Sequence, residues 1–246
     1  MLALAMALAA CGQDDDSTLG RAEDAMAELD TGDLVVELSA TTAEVAEPVG
    51  FRLDGRFQYG DDGELPVMDF TYTDLLAGEE VEAGIVSDGE RAWVIADGTT
   101  TELSAEEAEP LRLGGGEGFA DIGIASWVDD PSETARGDET VVTGTVDAAD
   151  LLSDLSRLAS QVGGGGDLEP VEGEDADRLA ALVRSSEIEV IVGEDDLPRS
   201  VDATIDFGGD VPEELVDALG PYAAATLRLI VELAPLDGDL TVTPPE

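Results

Sequence analysis

A chain of 246 residues that sets 58 Asp and Glu against 11 basic residues, with no His, carries a formal charge of −47. All of the basic residues are Arg, scattered singly from Arg21 to Arg228, and neither Lys nor Asn occurs. A surface of this sign repels nucleic acid and anionic headgroups, and without a basic stripe a nucleic-acid partner is excluded. The same acidity suits surroundings in which salt screens self-repulsion, since the Debye length falls to about 3 Å at about 1 M salt. A GC-rich coding bias toward Arg, Ala, Gly and Asp leads to the same composition. Disorder does not follow from the charge, because 43% of the residues are apolar and they fall in regular alternation.

From Met1 to Ala10 small and apolar residues run without interruption, and Leu8-Ala9-Ala10-Cys11 closes the run with the only cysteine of the chain. This string resembles the lipobox of bacterial lipoproteins, in which small residues admit a signal peptidase and the cysteine receives diacylglycerol. The resemblance implies a signal peptide over residues 1–10, then a lipidated Cys11 and an acidic tether over residues 11–18 that contains Asp14-Asp15-Asp16. It implies a protein on the outer face of the bacterial cell membrane, held by acyl chains such as palmitate, since two or more chains anchor stably where one does not. Leu2 to Ala10 is too short to span a bilayer, which takes roughly 20 apolar residues. No Lys or Arg precedes the run, a departure that an upstream start would remove. The plainer alternative is a short buried helix with a structural cysteine. One cysteine makes no internal disulfide, so residues 19–246 are expected to form a single domain that depends on its core.

Ser17 or Thr18 can cap a helix in which Leu19, Ala22, Met26 and Leu29 recur at helical spacing, with Gly32 as its expected end. The period then changes to two. Leu34, Val36 and Leu38 open a strand; Phe51, Leu53, Phe57 and Tyr59 alternate with Arg52, Asp54, Arg56 and Gln58 on the next. Asp62-Gly63 predicts a turn into Met68, Phe70 and Tyr72, and Asp88-Gly89 and Asp97-Gly98 punctuate the strands that follow. Ser104 to Glu107 reads as a capping box for a short helix disturbed by Pro110, and the middle of the chain, past Trp127 and Pro131, reads as a loop-rich crossing. A strand over Glu139–Val146 precedes an amphipathic helix over Ala148–Gln161 that carries Leu151, Leu152, Leu155 and Leu158. Gly163 to Gly166 breaks the chain as a flexible linker, and a second helix is expected over about Ala176–Ser186. Strands with Ile188, Val190 and Val192, with Val201, Ala203, Ile205 and Phe207, and with Leu227, Leu229, Val231 and Leu233 close the domain, with a helical turn at Pro212 to Leu219 between the last two. These strands are apolar on one side, which needs a common cover. The expected fold is α+β: a curved antiparallel sheet with helices laid across its concave face.

Without His, and with its cysteine in the lipobox, the chain offers no Ser-His-Asp triad, no cysteine-protease pair and no His or Cys metal site. Carboxylate pairs are inevitable among 58 acids, and none is conspicuous as a glycosidase pair. Asp14-Asp15-Asp16, Asp129-Asp130 and Glu194-Asp195-Asp196 lack the calcium-loop pattern and read as solvated surface. Gly163 to Gly166 follows a helix and has no Lys partner, so it is not a phosphate loop. The chain is not expected to be an enzyme or to hold a cofactor or metal.

The helix ahead of the first strand resembles a feature of the LppX/LprG family of bacterial lipoproteins. So do Ser87-Asp88-Gly89-Glu90-Arg91-Ala92-Trp93-Val94, Val142-Thr143-Gly144-Thr145-Val146-Asp147-Ala148-Ala149-Asp150-Leu151, and Glu189-Val190-Ile191-Val192 through Leu197-Pro198-Arg199-Ser200-Val201. The resemblance covers roughly Leu19 to Pro245. It implies a half-barrel shared with the LolA and LolB carriers, and a cavity between sheet and helices that binds acylated lipids or lipoglycans and helps move them through the envelope. Candidate lining residues are Phe51, Leu53, Phe57, Met68, Phe70, Tyr72, Trp93, Val190, Ile205, Leu229 and Val231. Trp127 and Tyr222, near loops, are candidates for the edge of an entrance. The alternative is a filled core in an envelope module that senses or binds a protein partner, because a dry core and a lipid pocket are built from the same residues.

Overall fold

The computed structural model describes residues 17–42, 47–60, 64–76, 79–113, 122–161, 178, 180–208 and 224–245. The leader, Cys11, the Asp62-Gly63 turn, Gly163 to Gly166, the turn expected at Pro212 to Leu219 and Tyr222 lie outside the described residues. Helix α1 (Thr18–Ala27) is capped by Ser17, whose hydroxyl accepts from the Gly20 N–H at 3.0 Å, and it buries Leu19, Ala22 and Met26 along one stripe. Its end comes at Glu28, ahead of the expected Gly32, which sits inside β1 (Thr31–Thr42) beneath the ring of Phe57. Gly32 is therefore a packing glycine and not a helix terminator.

Strands β2 (Val49–Gln58), β3 (Val67–Leu76), β4 (Glu79–Asp88), β5 (Ala92–Ala96) and β6 (Thr99–Glu102) follow β1 as a meander. Between β5 and β6, Asp97 and Gly98 both take positive φ, 51° and 69°, which a tight hairpin between right-twisted strands requires. The capping box at Ser104 is present: its N–H donates to Glu107 Oε2 at 2.8 Å and its hydroxyl accepts from the Glu107 N–H at 3.3 Å. A turn then leads into the five-residue α2 (Glu109–Leu113).

The middle of the chain, expected as loop, contains β7 (Val128–Arg136), paired with β8 (Glu139–Val146). The sequence Val-Asp-Asp-Pro-Ser-Glu-Thr-Ala-Arg lacks apolar alternation because β7 is an edge strand, exposed beyond Val128, where Pro131 is tolerated. Helix α3 (Ala148–Gln161) starts under the Asp147 side chain, which accepts from the N–H groups of Ala149 and Asp150 at 3.0 and 3.1 Å. The second helix expected over about Ala176–Ser186 ends sooner than that, since β9 (Val183–Val192) has already begun at Val183. Strands β10 (Pro198–Phe207) and β11 (Ala225–Pro235) complete the fold.

The strands form one open antiparallel sheet in the order β6-β5-β4-β3-β2-β1-β11-β10-β9-β8-β7. Two meanders, β1 to β6 and β7 to β11, thus meet where β1 pairs β11, from Gly32 opposite Pro235 to Thr42 opposite Ala225. Directly opposed residues share a face, so the registers sort every strand. One face is apolar, from Val142 and Val190 through Val201, Leu229 and Leu38 to Phe51. The other is wet, with Arg52 bridging Glu37 and Asp54, Arg56 reaching Asp69, and Arg228 holding Asp202. These exposed pairs each contribute little, about 0–1 kcal/mol.

Leu19, Ala22 and Met26 of α1 share a core with Ile122, Ile124, Trp127, Ala148 and Leu151 and with the apolar face of β8 to β11. A polar staple fixes this layer. Asp154, buried in α3, accepts from Trp127 Nε1 at 2.9 Å and from the Gly123 N–H at 3.0 Å, while Glu23 of α1 accepts from the Ala125 N–H at 2.7 Å. Burial raises the Glu23 carboxyl above its ordinary value against the opposing Ala125 hydrogen bond, and Asp24 and Asp154 raise it further.

Candidate functional site

The registers bring ten of the eleven candidate lining residues onto the apolar face. Leu53 lies between Val36 and Tyr72, Phe51 between Leu38 and Asp74, and Phe57 between Gly32 and Met68. Phe70 stands opposite Gly55, where a Cβ would collide with its ring and with the β3 backbone at Asp69, so the close approach requires glycine. Across the β1–β11 seam Val231 faces Val36 and Leu229 faces Leu38, and Ile205 and Val190 continue the face. Trp93 is the exception. It pairs with Val86, which pairs with Asp69 and through it with Arg56, on the face opposite the other ten, where Trp93 and Val86 are themselves buried. There the Arg91 guanidinium covers the indole at 4.9 Å from the ring centre.

Burial then divides the ten. Val190, Ile205, Leu229, Phe57 and Met68 are buried, in the same core as α1 and α3. Phe51, Leu53, Phe70 and Val231 are half-buried, and Tyr72 is 41% exposed against 1% for Leu229 on the same face. The open stretch is bounded by Val36 and Leu38 of β1 and by Ala83 and Ile85 of β4, all half-buried. Its centre is the stack of Phe51 on Tyr72, with ring centres 5.9 Å apart and planes 20° from parallel. Partial burial raises the Tyr72 phenol above its ordinary value, with the Asp74 carboxylate adding to the effect. At the covered end Tyr59 packs on Phe57 at 5.1 Å, and burial pushes its phenol up to about 12.

Trp127, expected at an entrance, is instead buried and tied to Asp154 in the core, because its indole N–H finds a buried carboxylate rather than water. Val36, Leu38 and Ile85 join the stretch without having been singled out as lining residues, although Val36 and Leu38 alternate with polar residues in the sequence. Asp74 was also missed. The signal lies in the break of the series Met68, Phe70, Tyr72, in which the next residue of the same parity is an acid. Among the described residues no group of three His, Cys, Asp or Glu could hold a metal, and no helix is long and apolar enough to cross a membrane.

No family model and no curated protein matches the chain. Among solved structures it is similar to LprF from Mycobacterium bovis, at 12% identity over 93% of this chain and 95% of that one, with a TM-score of 0.46. The Mycobacterium tuberculosis lipoprotein LppX matches at 12% identity over 92% and 100%, TM-score 0.41. A LolA superfamily protein from Nitrosomonas europaea matches at 10% identity over 96% of each chain, TM-score 0.23.

Proposed function

We propose that the protein is a cell-envelope lipoprotein, anchored to the outer face of the membrane through Cys11, that binds acylated lipids or lipoglycans and helps move them through the envelope. In this reading residues 19–246 are a half-barrel whose concave face is covered by helices over part of its length. Acyl chains lie along Val36, Leu38, Phe51, Leu53, Phe70 and Tyr72, and the function is carriage without catalysis. The observation that carries the reading is the division of one apolar face into a packed stretch and an open one that presents a stacked Phe51–Tyr72 pair to the surroundings. A folded monomer normally covers such a surface, and an open one marks a site that something apolar fills. Each methylene that leaves water contributes about 0.8 kcal/mol, so a few of them change occupancy greatly.

Native mass spectrometry tests the proposal on the 246-residue chain carrying Cys11→Ser, purified from bacteria at high salt. A reproducible adduct in the mass range of phospholipids or glycolipids, lost on organic extraction, is the expected result. A clean mass that persists after incubation with membrane extract overturns it in favour of a filled module that binds a protein partner.

A further inference from the structure

We infer that β6 is a docking edge for a protein partner, which adds to the sheet an extended segment whose side chains alternate between basic and apolar. The sheet ends in two strands, β7 and β6, and only β7 is guarded. There Pro131 has no N–H to offer, Asp130 takes a positive φ of 50°, and the register shifts between Asp129 and Ser132, each of which spoils a strand as a template. None of these devices occurs in β6. Its three Thr residues favour a pleated strand, its register with β5 is unbroken from Trp93–Glu102 to Ala96–Thr99, and all of its residues are exposed.

The backbone of this edge is set for pairing. The Leu103 N–H donates to the Ala92 carbonyl at 2.8 Å, and opposed residues alternate between bonded and non-bonded pairs, so Thr101 bonds Val94 and Thr99 bonds Ala96. The N–H and C=O groups of Thr100 and Glu102 therefore point away from β5, and nothing among the described residues takes them. The rows then specify the side chains of an added strand. A residue opposite Thr101 would extend the apolar row of Val94, Ile85 and Phe70, and one opposite Glu102 would lie on the other face, in the row of Trp93. Glu102 makes no ion pair among the described residues, no cation occurs in the sequence between Arg91 and Arg112, and Arg91 is held by Asp88. Charge selects the occupant. With −47 on the chain and further acids at Glu106, Glu107 and Glu109, a second copy is repelled at this edge and a basic strand is attracted. Main-chain bonds then supply affinity, and the alternating side chains supply specificity.

The test uses the Cys11→Ser chain and the synthetic peptide acetyl-Arg-Val-Arg-Val-Arg-Val-amide, with binding followed by calorimetry and backbone amide exchange by NMR. The peptide is expected to bind, more weakly as salt is raised, and to protect the N–H groups of Thr100 and Glu102, while those of Thr99 and Thr101 are protected already. Thr100→Pro removes an outward N–H and leaves the bonds between β5 and β6, so it should weaken binding by about tenfold or more. Glu102→Gln should weaken it by about threefold. A peptide N-methylated at its Arg residues removes the same bonds from the other side and decides the matter if the proline variant does not fold. Failure to bind, binding indifferent to both Thr100→Pro and N-methylation, or equal binding of a peptide with Glu in place of Arg overturns the inference. Self-association in concentrated salt that protects the same two amides also overturns it, by giving the edge to a second copy of the chain.

Discussion

The two meanders present the same kind of face to the same side of one sheet, yet only one of them is closed. In β8 to β11 the apolar rows of Val142, Val190, Val201 and Leu229 are buried with α1 and α3. In β2 and β3 burial reaches Phe57 and Met68 and then gives way to Phe51, Leu53 and Tyr72, which lie outside that core. Identical chemistry along a strand therefore serves stability at one place and remains available for binding at another. What differs is the layer above, fixed by the Asp154–Trp127 and Glu23–Ala125 hydrogen bonds.

The contrast is sharpest for a pair of truncations. Leu229→Ala is expected to cost about 2–5 kcal/mol in denaturant unfolding, because it opens a cavity in a packed core. Leu53→Ala, on the open stretch, should cost less than about 1.5 kcal/mol while reducing the lipid adduct. Equal costs for the two would show that the open stretch is as well covered as the closed one. A smaller effect probes the layer itself. Trp127→Phe keeps an aromatic ring but removes the Nε1 donor from a buried carboxylate, and should cost about 1–3 kcal/mol. No measurable loss would mean that the staple does not hold the closed half.

The smallest effect is a dependence on pH. Burial, with Asp24 and Asp154 nearby, raises the folded-state value of Glu23 above 4.5, so the native state takes up this proton more readily than the unfolded chain. The stabilisation is complete below 4.5 and is lost as pH rises through the folded value. The stability of the parent relative to Glu23→Gln should therefore grow on mild acidification from neutrality. A difference that stays flat or shrinks over that range would sink the assignment.

Local signals in the chain reached as far as the choice of face and stopped at its cover. The bounds of α3 coincide with the expected Ala148–Gln161, since Asp147 caps one end and a Gly run begins soon after the other. The strand over Glu139–Val146 also coincides, because it is made largely of β-branched Val and Thr, which fit a pleated surface. Alternation fails for β5, where Ala92, Trp93, Val94, Ile95 and Ala96 are apolar at both parities, so the side taken by Trp93 is decided by pairing with Val86 and not by pattern. It fails for β7 because an edge strand exposed on both sides has no apolar face to announce. Gly32 misleads for another reason: a glycine required by a neighbouring ring looks the same in sequence as one that ends a helix. Whether Tyr72 is covered depends on segments remote in the chain, which no local spacing encodes.

The seam between β1 and β11 also orders events in time. Strands β1 to β6 pair with their neighbours in sequence, but the union of the two halves pairs Leu34 with Leu233 and Leu38 with Leu229, residues separated by nearly the whole domain. A growing chain therefore carries β1 with one bare edge until its final strand arrives. During that interval the row Leu34, Val36 and Leu38 is a template for any strand in reach, its own neighbour's included. The most central junction of the finished sheet is thus the last that can form, and the acid-rich surface, which holds copies apart by repulsion, is at its most useful before folding is complete.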